Sequence, residues 1–245
     1  MERETKTIEQ IVSEFESRFA DLYQDLVPVR SIERMKRASE SAWQLAEWTA
    51  IFKEAARNLE LEMEANMLLS MQCTASALAS EVSMWIALRS DDPDRAWVCL
   101  IDMQEYLQIA ERAHSATVVS EFIVRAVQHE NTLFPPIMFV SPEFRYRPGK
   151  CTICAEQFDR CPHEEDAIYL GRLCREVERQ KVSVEHVALV KKPRDKRCRL
   201  ASIEDAQGCS RHWFTNEEVT AESNGSEAGR KFNALVFHAY SLKNV

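Results

Sequence analysis

Apolar residues recur at helical spacing from the start of the chain. Ile8, Ile11, Val12, Phe15, Phe19, Leu22 and Leu26 fall three or four residues apart, behind a Thr7/Gln10 capping box, and predict an amphipathic helix up to Pro28. Ser31 opens a stretch without glycine or proline until Pro93. In it Met35, Ala38, Ala42, Leu45, Thr49, Phe52, Ala56, Leu59 and Met63 alternate by threes and fours, a coiled-coil seam and a candidate docking face for a partner helix. One helix over 31–90 would run about 90 Å at ~1.5 Å per residue, so a break is expected within 60–66. Over 67–88 the apolar residues cover nearly every face and are small or flexible (Met71, Ala75, Ala77, Ala79, Met84), the pattern of a helix surrounded by others. Gln72, Glu81 and four serines in the same stretch argue against a membrane span. Asp92 and Pro93 supply an N-cap and a first-turn proline for a helix through Ala113, with Trp97, Leu100, Met103, Leu107 and Ala110 inward. A last helix over 115–133 ends before Pro135.

The period then changes. Val182, Val184, His186, Ala188 and Val190 alternate with Ser183, Glu185, Val187 and Leu189, a strand pattern, and 232–240 is a candidate closing strand after a Ser/Gly-rich loop over 223–229. The expected fold class is therefore α+β: an all-α helical bundle over 1–134, followed by a small, mostly β module over 135–245.

Composition agrees with that division. All five glycines lie after residue 148, which excludes a Rossmann fingerprint or a P-loop, since both need closely spaced glycines to bring backbone amides to phosphate. Of 31 Lys/Arg and 39 Asp/Glu, residues 1–134 carry 13 and 23, a net of −10, leaving 18 and 16, a net of +2, for 135–245. Nucleic-acid contact is thus expected only in the second part, because phosphate binding rests on clustered cations. The first residues, MERETKTIEQ, carry no apolar signal core, and a cytoplasmic location is expected. In a reducing compartment the eight cysteines read as thiols or metal ligands, and six of them crowd into 151–209.

Cys151, Cys154, Cys161 and His163 spell C-x2-C-x6-C-x-H just after Pro148 and Gly149. Zinc takes four sulfur or nitrogen ligands in a tetrahedron, and a short loop returning Cys-x-His to a Cys-x2-Cys knuckle would complete one without a large core. These four are the expected metal ligands and zinc the expected cofactor. Cys174 is a substitute ligand for His163 or Cys161; with Cys198, Cys209 and His212 it could instead form a second site. Lys191, Lys192, Arg194, Lys196, Arg197 and Arg199 place six cations in nine residues, a candidate nucleic-acid contact or a solvated turn.

The run Cys151-Thr-Ile-Cys154, Cys161-Pro-His163, Tyr169-Leu-Gly-Arg-Leu-Cys174, Glu185-His-Val-Ala-Leu-Val190 and Pro193-Arg-Asp-Lys-Arg-Cys198 resembles a small zinc module of bacterial proteins, some from phage-related or defence contexts. The resemblance implies metal binding and transfers no catalytic residue. The same residues also resemble treble-clef nucleases of the His-Asn-His type, with Cys151/Cys154 and Cys209/His212 as ligands and Glu185/His186 on the strand; His186 would then activate water. Asn216 follows His212 without a partner histidine, which counts against it. Elsewhere the sequence offers no catalytic constellation: His114 and His129 sit near helix ends, Trp43 and Trp48 fit packing or partner contact, and His238 is simplest as a structural residue. The function expected from sequence is a non-enzymatic zinc-containing adaptor or complex subunit that binds a protein partner, or a second copy, through its helices. Metal-dependent nuclease activity is the alternative.

Overall fold

The computed structural model describes residues 6–24, 31–205, 207–219 and 232–235, and shows five helices followed by a strand-rich region, an α+β arrangement. Leu26, Pro28, the loop over 223–229 and His238 lie outside the described residues, as does the candidate closing strand beyond Leu235.

Helix α1 (Ile8–Gln24) begins with the capping box in place: Thr7 N donates to Gln10 Oε1 at 2.9 Å and Gln10 N to Thr7 Oγ1 at 3.4 Å. Helix α2 (Ile32–Asn58) starts on Ser31, whose hydroxyl accepts from Arg34 N. The break before α3 (Glu62–Arg89) needs no glycine, because Glu60 itself takes a left-handed backbone (φ 56°) and Leu61 N returns to Ala56 O at 3.0 Å. Helix α4 (Pro93–Ala113) is capped by the Asp92 carboxylate on Arg95 N at 3.0 Å, and α5 is Thr117–Leu133.

Helix α3 is the centre of this part. It packs along both α2 and α4, and Leu68, Leu69, Ala75, Leu78, Val82 and Met84 are all buried. Its buried hydroxyls find carbonyl partners: Thr74, Ser76 and Ser80 each donate to the carbonyl four residues back at 2.8–3.0 Å, and Ser70 donates to His114 O at 2.9 Å. That explains how a helix buried all round can carry so many polar residues. The seam on α2 faces inward as well. Met35, Ala38, Ala42, Leu45, Thr49 and Ala56 are buried, while Leu59 and Met63 at its end are 70% and 80% exposed. Trp43 packs edge-on to Tyr106, and Trp48 to Phe52. Helices α1 and α5 meet through aromatic rings, with Phe122 5.7 Å from Phe19 and 5.6 Å from Tyr23.

The chain forms two compact units, and they are not simply its first and second parts. The first joins residues 1–127 with 148–178; the second joins 128–147 with 179–241. The segment with the cysteine motif thus falls in the same unit as the helices. Within it β2 (Lys150–Cys151) pairs antiparallel with β5 (Glu176–Val177), and β3 (Ile168–Tyr169) with β4 (Arg172–Leu173). The β3–β4 turn puts Leu170 and Gly171 at φ 47° and 67°. Two consecutive left-handed residues close a two-residue hairpin with the twist its strands need.

In the second unit β6 (Gln180–Val190), β1 (Phe139–Arg147), β7 (Arg199–Glu204) and β8 (Ser210–His212) lie in that order, and β9 (Phe232–Leu235) pairs with β7. Its small core is Val140, Cys198 and Leu200, with Trp213 and Ala234 against them. The alternation read over 182–190 is a strand, but both of its faces are open: Val182, Val184, Val187 and Leu189 are 43–55% exposed. Among the described residues no helix is long and apolar enough to cross a membrane.

Candidate metal centre

The knuckle is built by local hydrogen bonds. Cys151 ends β2, and its carbonyl accepts from Ala155 N at 2.9 Å, closing a tight turn with Ala155 in the left-handed region at φ 62°. Inside the turn Ile153 N donates to Cys151 Sγ at 3.3 Å, a bond that favours the thiolate. Thr152 laces this turn to the strand returning from the β3–β4 hairpin: its N donates to Arg175 O at 3.0 Å, its hydroxyl to Leu173 O at 2.9 Å, and its hydroxyl accepts from Arg175 N at 2.9 Å. Cys174 lies between those two residues, and its sulfur is consequently 3.7 Å from that of Cys151.

Cys161 and His163 arrive on the intervening loop. The donor atoms of Cys151, Cys154, Cys161 and His163 all lie within 4.8 Å of one another, and among the described residues this is where three or more His, Cys, Asp or Glu groups converge to metal-binding distance. Cys151 is buried, Cys161 half-buried and Cys154 exposed, so the centre opens on one side. His163 packs edge-on against Tyr169 with ring centroids 4.7 Å apart, and its Nδ1 is buried without a hydrogen-bond partner. A buried ring nitrogen left in that state is costly, and a metal ion or a neighbouring thiolate would relieve it.

The thiols influence one another. Burial disfavours the Cys151 thiolate, yet N–H donation from Cys154 and Ile153 and the thiols of Cys174 and Cys161 outweigh it and bring the group down to about 7. Burial and the charge on Cys151 push Cys174 up to about 12 and raise Cys161 too. Cys151 thus forms its anion readily, while Cys161 and Cys174 await a cation.

The remaining cysteines are of another kind. Cys73 is fully buried in α3 and Cys198 lies in the core of the second unit; desolvation raises them to about 12 and about 11. Cys198 is thus a packing residue, and Cys174 is at the first centre beside Cys151. Cys209 and His212 flank β8, where Cys209 N donates to Asp205 and His212 Nδ1 accepts from Thr215 N at 3.3 Å. Among the described residues, Cys198, Cys209 and His212 of the second unit do not converge to metal-binding distance.

The basic run is largely committed to internal partners. Lys196 pairs with Glu130 at 2.6 Å, and Arg197, 3% exposed, with Asp195 at 3.1 Å. Arg199 is 1% exposed, donates to Leu200 O and lies over the Phe214 ring at 4.1 Å. Lys191, Lys192 and Arg194 remain at the surface. A phosphate could meet those three, but not Arg197 or Arg199 as they stand. Reading sequence alone, a run of cations looks uniform; which of them a sheet edge swallows is a matter of tertiary packing.

His186 sits in an open cross-strand pair. Its Nε2 is 2.9 Å from Glu143 across the β1–β6 pair, with both side chains more than half exposed, and β1 and β7 stand between its strand and β8. An open cross-strand pair positions no water against a metal.

Comparison with protein-family models, curated proteins and solved structures gives no match for this chain. Its function therefore has to be argued from the centre and its surroundings.

Proposed function

We propose that this chain is a non-catalytic zinc-stabilised scaffold, an adaptor or complex subunit, in which one zinc ion holds residues 148–178 in their fold. The observation that carries the reading is the convergence of three thiols and one imidazole within 4.8 Å. Soft sulfur donors with an imidazole suit zinc better than the hard cations that prefer carboxylates and water. The surrounding segment supports a structural use. Its buried apolar side chains are few (Cys151, Leu173 and Cys174), so hydrophobic burial holds it only weakly, and its bonds to the helices include Gly171 N to Asn66 Oδ1 and Arg112 to Asp166 O.

The adaptor part of the reading rests on exposed apolar residues, since the α2 seam is filled by α3. Ile51 on α2, Leu59 just after it and Met63 in the first turn of α3, 67%, 70% and 80% exposed, offer apolar contacts to a protein partner or a second copy. Nucleic acid would engage through Lys191, Lys192 and Arg194.

Elemental mass spectrometry of protein prepared without chelators or a metal-binding tag tests the metal: one zinc per chain is expected, and none, with all thiols titratable, overturns it. For the adaptor role, sedimentation and tag-based purification should give a stoichiometric complex that the Leu59→Glu, Met63→Glu double variant loses. A monomer with no stoichiometric partner in either form would overturn that role. Divalent-metal-dependent cleavage of DNA or RNA by the wild type, lost in His186→Ala, would overturn the non-catalytic reading.

A further inference from the structure

The centre contains one donor too many. A tetrahedral ion needs four, and Cys151, Cys154, Cys161 and His163 already supply them, yet the Cys174 sulfur is 3.7 Å from that of Cys151 and fully buried. Two thiolates bound to one zinc at about 2.3 Å each are separated by the edge of the tetrahedron, about 3.8 Å. The observed spacing equals that edge and is far beyond a disulfide's roughly 2.05 Å. We propose that Cys174 is a zinc ligand, completing an all-thiolate sphere with Cys151, Cys154 and Cys161, and that His163 stands outside it as a reserve donor.

The hydrogen-bond lattice favours this set. Cys151 and Cys174 are held side by side by the same ladder, the three bonds made by the backbone and hydroxyl of Thr152. Cys174 is anchored on its other side, its N donating to Ala167 O at 2.8 Å and its carbonyl accepting from Asp166 N at 2.9 Å. His163 instead rides on the loop that carries Cys161, two residues away, and its contact with Tyr169 is a ring edge. A thiol that gives up its proton to the ion supplies a negative charge that a neutral imidazole does not.

Four thiolates on one dication leave two negative charges to neutralise. Ile153 N already donates to Cys151 Sγ, and the guanidinium of Arg172 reaches Ile153 O at 3.3 Å, bringing a cation to the knuckle. From outside the sphere, the buried Nδ1–H of His163 would donate to a thiolate, which gives that orphaned atom a partner.

This inference rests on the zinc reading of the same site, and one experiment separates the two. Zinc K-edge X-ray absorption on the zinc-loaded full chain reads the sulfur and nitrogen neighbours directly. Four sulfurs and no nitrogen are expected, and His163→Ala should keep one zinc per chain and the same spectrum. Cys174→Ala should lose one sulfur and gain one nitrogen near 2.0 Å as His163 is recruited. Three sulfurs and one nitrogen in the wild type, unchanged in Cys174→Ala, would overturn the ligand assignment while leaving the zinc centre standing. Absence of zinc from the wild type would overturn both. The wild-type and His163→Ala spectra decide the matter even if Cys174→Ala does not fold.

Discussion

Two regions of one compact unit, α3 with α4 and the segment 148–178, hold their shape by different means. In α3 seventeen side chains are buried, and Trp97, Leu100, Met103, Tyr106, Leu107 and Ile109 of α4 are 2% exposed or less. At about 1.5–3 kcal/mol per large apolar side chain, such packing sustains itself. The cysteine segment has four two-residue strands and almost no apolar interior. Its positions are set by hydrogen bonds, left-handed turns and a knot of donor atoms. The same residue type shows the contrast: Cys73 is held protonated by burial, up to about 12, whereas Cys151 is brought to about 7. A thiol can be a small hydrophobe or a ligand, and its neighbours decide which.

The sharpest break of this comparison removes the proposed metal. Structural zinc contributes about 10 kcal/mol or more of binding energy to small modules, comparable to the whole stability of a domain. Cys151→Ser should abolish stoichiometric zinc and leave residues 148–178 unprotected in hydrogen exchange, while α2, α3 and α4 keep slow exchange because their contacts are mutual. Loss of protection in those helices at the same time would show that metal and helical core form one cooperative element, and the contrast would fail.

The reverse break acts on the helical side. Glu81 is 3% exposed in α3 and is met by Arg125 of α5 at 2.6 Å, the guanidinium also donating to Tyr23 Oη at 2.8 Å. Removing one member of a buried ion pair costs about 3–5 kcal/mol. Arg125→Ala should therefore lower the unfolding free energy by about that amount in denaturant titrations, with zinc content unchanged. Zinc loss on this substitution would mean that the centre depends on the distant helical packing.

Between the two lies the place where the segment docks. Gly171 N donates to Asn66 Oδ1 at 2.8 Å, and a Cβ at Gly171 would stand 2.7 Å from Ala65 O, a backbone atom unable to move aside cheaply. Its φ of +67° adds strain for any other residue. Gly171→Ala should cost about 2–3 kcal/mol, read as a lowered melting temperature of a protein that still carries its zinc. An unchanged melting temperature would show that the hairpin tip contributes nothing to holding the segment on the helices.

How legible these features were follows from the range of the interactions behind them. The helices were written in local signals: the Thr7/Gln10 box, Ser31, the Asp92-Pro93 start and the three-four spacing. The Cys-x2-Cys and Cys-x-His pairs were equally local, and they converge. What depends on distant packing was not readable. The α2 seam looked free for a partner and is occupied by α3; Arg197 and Arg199 looked like surface cations and are interior; the unit to which 148–178 belongs is set by a glycine meeting Ala65 more than a hundred residues away. Strand β1 was missed altogether, since Pro142 within Phe139–Arg147 masks its alternation.

The smallest effect tests whether the knuckle's geometry is itself under strain. Ala155 follows the second cysteine with φ 62°, a region that costs an L-residue with a Cβ about 1–2 kcal/mol, and it stays there because its N–H closes the turn onto Cys151 O. Ala155 is exposed, so its methyl group makes no packing contribution that glycine would forfeit. Glycine relieves the backbone strain but gives the unfolded chain more freedom, and the two terms offset in part. Ala155→Gly should therefore stabilise the zinc-bound protein by about 0.5–1 kcal/mol, seen as a melting temperature raised by a few degrees and a higher chelator concentration needed to strip the metal. A substitution that raised the melting temperature without changing chelator resistance would place the strain outside the metal-bound knuckle. If both rise together, the turn that presents Cys151 and Cys154 is held in its left-handed form by the ion, which is the behaviour expected of a segment folded by its ligands rather than by its core.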